Sequence, residues 1–87
     1  MGFYATHLLS MGKRSYEQLR KEVRQRFSAN IKAERHRLGL SQERAAELVG
    51  FSLQYLQRIE RKIVNVPMDT ITRFAFAYNV DPVQLLK

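Results

Sequence analysis

Gln54 and Arg58 are the residues of this 87-residue chain whose types and spacing could do the most definite chemistry. Four residues apart on a helix they share one face, and both end in planar groups able to form paired hydrogen bonds. Glutamine matches adenine in this way and arginine matches guanine, each good pair discriminating between bases by ~1–3 kcal/mol. Leu53 stands beside them and offers only apolar contact, for instance to a thymine methyl. A solvated helix face would display the same polar residue types, so placement has to decide between the two readings.

That placement depends on the segment from Gln42 to Arg61, QERAAELVGFSLQYLQRIER, which predicts two short helices joined by a tight turn at Gly50. Ala46 is small enough to let the second helix cross closely, and glycine accepts the left-handed backbone on which a helix can end. Leu56 and Ile59 then face the core. Ser41 and Ser52 are natural N-caps for the two helices. Gln42 and Ser52 stand at helix starts, where free backbone N–H groups favour anions such as phosphate. Simple N-capping fits the same residues. Tyr55 could donate to phosphate through its hydroxyl or serve packing alone. The two-helix pattern is that of a DNA-reading element.

The remaining chain supplies a support for these helices. Ser15 with Gln18 resembles a capping box, and Tyr16, Leu19, Val23, Phe27 and Ile31 recur at helical spacing. The resulting helix either runs unbroken to Leu38 or breaks near residues 28–30, and Gly39 ends it in both cases. Pro67 suits the first position of a further helix with an apolar stripe of Ile71, Phe74, Ala75 and Tyr78. Asn79 can adopt the left-handed stop, and Asp81 with Pro82 opens a short last helix that brings Leu85 and Leu86 for burial. Three segments follow: a loose start over 1–12, a basic helical extension over 13–26, and an all-α domain over 27–87.

Length and composition allow one small domain, with no cysteine for a disulfide or thiolate metal site. Apolar runs fall far short of the ~20 residues of a membrane span, and the start lacks the basic opening of a secretory signal. A net charge of +7 favours an anionic partner, nucleic acid first and an anionic membrane surface second. The charge is uneven. Residues 13–37 carry nine Lys and Arg against Glu17, Glu22 and Glu34, whereas residues 38–61 balance Arg44, Arg58 and Arg61 against Glu43, Glu47 and Glu60. Attraction is therefore expected upstream of the reading helices. His7 and His36 are too few and too far apart for a metal site, Asp69 and Asp81 read as helix-start residues, and no Gly-rich phosphate loop occurs. Neither enzymatic activity nor a cofactor is expected.

Residues 27–86 resemble the lambda-repressor-like helix-turn-helix domains of the XRE (Cro/CI) family. The likeness is carried by Ile31 and Arg35, by LGLSQ at 38–42, and by Ala46, Gly50, Ser52, Tyr55, Ile59 and Glu60. Asn65, Asp69, Thr70, Val80, Pro82, Leu85 and Leu86 extend it. It implies a five-helix bundle, usually dimeric, that binds double-stranded DNA and acts on transcription. It places Leu53, Gln54 and Arg58 on the base-reading surface, Gln42 and Ser52 against the DNA backbone, and Arg35 with Glu60 in a partly buried structural ion pair. The chain departs from the family in three ways. Lys62 replaces the glycine usual after the third helix, Ile63 to Val66 is apolar where relatives are often polar, and the basic segment before Phe27 is additional. That segment could be a DNA-contacting arm, a dimerisation helix or a solvated face. Phe76 and Val83, at positions normally polar in relatives, together with Ile63 and Val64, point to a dimer or partner surface.

These readings converge on a sequence-specific DNA-binding regulator, a repressor or controller of bacterial or phage origin, cytoplasmic and bound to an inverted repeat as a homodimer. The other reading is an interaction module of antitoxin type that binds a partner protein. Without a sensor domain in these residues, control is expected from concentration or a partner.

Overall fold

The computed structural model describes residues 14–87, so the start over 1–12 lies outside the described residues. Four α-helices and one 3-10 helix follow in order: α1 Tyr16–Arg37, α2 Gln42–Val49, α3 Leu53–Glu60, α4 Met68–Tyr78 and the 3-10 helix Pro82–Leu86. No strand occurs among the described residues.

Local signals set most of the boundaries. The Ser15 hydroxyl accepts from the Gln18 N–H at 3.1 Å while the Gln18 side chain accepts from the Ser15 N–H at 2.8 Å, closing the capping box. Ser41 and Ser52 cap α2 and α3 by accepting from the Arg44 and Tyr55 N–H groups, each at 3.1 Å. Asn79 ends α4 at φ 55°. Pro67 stands one place earlier than expected, as the extended N-cap of α4. The last helix is a five-residue 3-10 turn, too short to repay the nucleation of an α-helix, with the Asp81 carboxylate accepting from the Val83 N–H.

The expected extension and the first bundle helix are one unbroken α1 of 22 residues, about 33 Å long. Only its second half is built into the core: Phe27, Ser28, Ile31 and Arg35 are buried, while Tyr16 and Val23 remain 73% and 46% exposed. Two hydrogen bonds hold this half in register. The Ser28 hydroxyl donates to the Ile59 carbonyl at 2.6 Å, and the Asn30 amide donates to the Leu85 carbonyl at 2.9 Å. Phe74 is the centre of the core, meeting Phe27, Phe51 and Tyr78 edge-on at centroid distances of 5.8, 5.7 and 5.6 Å. Fully burying such a ring contributes about 1.5–3 kcal/mol, and the cluster ties α1 and the turn before α3 to α4.

Candidate nucleic-acid interface

The turn between α2 and α3 follows from two small residues. Gly50 adopts φ 89°, and the carbonyl of Ala46 accepts from both the Gly50 and the Phe51 N–H at 2.9 Å. Ala45 and Ala46 are buried and let the helices approach. Arg73 braces the turn from α4, donating to the Gly50 carbonyl at 3.3 Å with its guanidinium 5.4 Å from the Phe51 ring centre.

Helix α3 is divided lengthwise. Leu56 and Ile59 are buried, Leu53 is half-buried, and Gln54 and Arg58 are exposed with no carboxylate paired to either among the described residues. These two polar side chains therefore lie on a helix whose opposite face is buried in the core. At its start Ser52 is exposed, and the Leu53 and Gln54 N–H groups precede the first capped one, leaving donors aimed outward.

Arg35 and Glu60 meet as a bidentate pair: Nε donates to Oε2 at 2.8 Å and Nη2 to Oε1 at 3.0 Å. A third bond runs from Arg35 Nη1 to the Leu40 carbonyl at 3.0 Å, tying α1 to the loop before α2. Bonding to the Glu60 carboxylate raises the pKa of Arg35 above the usual arginine value, outweighing burial, which acts the other way. Glu60 also accepts from the Gln42 amide at 3.1 Å, and the Gln42 carbonyl accepts from the Gln57 amide at 3.2 Å. Gln42 thus keeps one amide hydrogen outside these two bonds. Tyr78 lies beside this cluster with its hydroxyl buried and without a hydrogen-bond partner among the described residues. Burial, reinforced by the charge of Glu60, pushes its pKa up to about 12.

Residues 26–86 match the helix-turn-helix domain family. The chain belongs to that family. Among solved structures, this helix-turn-helix chain is similar to a hypothetical transcription factor, NHTF, from Neisseria, with 32% identity over 75% of each chain and a TM-score of 0.72. It is also similar to the restriction-modification controller protein C.AhdI from Aeromonas hydrophila, with 32% identity over 71% of this chain and 94% of that one and a TM-score of 0.67. An HTH_3-family transcriptional regulator from Vibrio cholerae shares the fold at 23% identity and a TM-score of 0.70, and the alignment spans 75% of this chain and 36% of that chain. No curated protein matches the chain. The XRE-type resemblance read from LGLSQ, Ala46 and Gly50 agrees with these findings.

Two residues singled out in the sequence have contacts within the fold. The Tyr55 hydroxyl lies 3.4 Å from that of the buried Thr70, and its ring packs edge-on against Phe51 at 4.9 Å. Tyr55 thus has the packing contacts that the sequence allowed it, beside the phosphate contact it was also given. Val64, expected in an exposed apolar cluster, is half-buried against the core, since the chain leaving α3 turns it inward. Ile63, Phe76 and Val83 stay 56%, 88% and 58% exposed on three successive elements, and Met68 joins them at 82%. Met68 stands at helical spacing before Ile71, Ala75 and Tyr78 of the core stripe, so periodicity in the sequence carried no sign of its exposure. The parts played by Gln57 and Arg73 had no local signal either, as each acts through a partner distant along the chain.

Proposed function

We propose that this helix-turn-helix regulator binds double-stranded DNA as a symmetric homodimer at an inverted repeat, repressing or controlling transcription by occupying its site. Leu53, Gln54 and Arg58 meet base edges in the major groove, while Gln42 and Ser52 position the domain on phosphates through helix-start N–H groups. The observation that carries the reading is the division of α3, with Gln54 and Arg58 free on one side and Leu56 and Ile59 buried on the other. The description of C.AhdI as a restriction-modification controller supports a controller role. Ile63, Phe76 and Val83 supply the contact between copies, which would set two reading helices about 34 Å apart, one turn of DNA. Residues 13–26 supply attraction that does not depend on sequence. The setting proposed is the cytoplasm of a bacterium, with the gene its own or that of a phage.

Selection of duplexes from a random pool at two salt concentrations tests this. A palindromic consensus that persists at the higher salt is expected; the absence of any enriched sequence would overturn it. A second reading, an antitoxin-type module that binds a partner protein, draws on the same exposed Phe76 and Met68. It predicts a monomer in sedimentation at concentrations where the leading reading predicts a dimer.

A further inference from the structure

The cations of α1 are not equally occupied. Arg14 and Arg26 both reach Glu22, Arg20 lies 3.0 Å from Glu17, and Arg37 lies 2.6 Å from Glu34. Lys21 and Arg24 have no such pair among the described residues. They face Arg61 and Lys62 across a surface cleft of about 610 Å³, whose one carboxylate, Glu17, is already engaged by Arg20. Arg24 keeps a buried Nε with no hydrogen-bond partner among the described residues. Four cations from two elements thus converge where no described group neutralises them.

Lys62 gives a separate indication. It ends α3 in the left-handed conformation at φ 70°, donating to the Ile59 carbonyl at 3.0 Å while Ile63 donates to that of Arg58 at 3.1 Å. Glycine would adopt this backbone without steric cost, so the lysine side chain is kept against local preference. Its service to the α3 terminus is not the reason, because those carbonyls already accept from backbone N–H groups. A strained residue that adds charge to a cleft is better explained by what the cleft holds.

We propose that the cleft between α1 and the turn after α3 is a second anion site, one that holds a phosphate of the DNA backbone beyond the groove that α3 enters. This rests on the DNA-binding reading above. Arg61 and Lys62 follow directly from the helix that carries Arg58, so a strand passing the end of α3 meets them and then Lys21 and Arg24. The last two lie outside residues 26–86, so half of the site is an addition to the family domain.

The test titrates the full chain, the K21Q/R24Q variant and K62G against two duplexes, one bearing the selected consensus and one unrelated, over a salt series. For one phosphate lost, the double variant should bind both duplexes about eightfold more weakly at 0.1 M salt, with a log–log salt slope smaller by about 0.9 and base preference unchanged. K62G should melt at a higher temperature yet bind both duplexes less tightly, a combination that unfolding cannot produce. Unchanged affinity and slope in both variants would overturn the cleft while leaving reading by α3 intact. A loss accompanied by dissociation of the dimer in sedimentation, with the slope unaltered, would also overturn it. Failure of the unaltered chain to prefer the consensus would count against the α3 reading itself.

Discussion

Replacing Arg35 by alanine removes three hydrogen bonds at once, two to Glu60 and one to the Leu40 carbonyl, and it does so where no water can substitute easily. Glu60 is only 2% exposed and would retain a single donor, the Gln42 amide. Breaking a buried pair from one side costs about 3–5 kcal/mol, because the remaining charge is left uncompensated. At ~4–8 °C per kcal/mol for a domain of this size, the melting temperature should fall by at least ~12 °C. Thermal and urea unfolding of R35A, E60L and the double variant R35M/E60L would measure it. The double variant should recover much of the loss, since apolar groups of similar volume need no partner. Loss of DNA binding follows from unfolding, because Arg35 is buried behind α3. An R35A protein that melts normally but binds DNA weakly would refute the reasoning, as would a double variant no more stable than R35A.

Gly50→Ala should destabilise by about 1–2 kcal/mol in urea unfolding, since φ 89° is left-handed and the new Cβ would stand 3.3 Å from Arg73. Tyr78→Phe should be neutral or stabilising by about 1 kcal/mol, because it deletes a buried hydroxyl with no partner among the described residues. The same residue has a raised pKa, so the unfolded chain loses the phenolic proton first. Stability is therefore held below pH 10, the ordinary tyrosine value, and lost as pH rises toward about 12, and this loss should shrink in Tyr78→Phe when melting is followed across that range. Arg58→Ala should relax preference at one base position by ~1–3 kcal/mol in competition binding while the melting curve stays put. Phe76→Ser, at an 88% exposed position, should change folding stability by less than ~0.5 kcal/mol yet weaken the dimer in sedimentation equilibrium.

The helix ends were legible because each depends on groups a few residues apart: Ser15 with Gln18, Ser41 with Arg44, Ser52 with Tyr55, and the left-handed Gly39, Gly50 and Asn79. The pairing of Arg35 with Glu60, 25 residues apart, was legible only through likeness to a family, since nothing local links them. Spacing placed Gln54 and Arg58 on one face, and burial of Leu56 and Ile59 decided that this face is the free one.

Sequence by itself thus determined the helices of the described residues, the turn at Gly50 and the sharing of one helix face by Gln54 and Arg58, because capping, backbone handedness and helical periodicity act over one or two turns. Only the tertiary structure decided that Gln42 is held by Glu60 and Gln57, that Tyr55 turns to Thr70, and that Val64 is drawn inward while Ile63 is not. It also brought Lys21 and Arg24 to Arg61 and Lys62. These outcomes depend on which side chains the packed helices bring within hydrogen-bond reach across the fold, and a glutamine, tyrosine or lysine has partners of many kinds open to it until that packing is fixed.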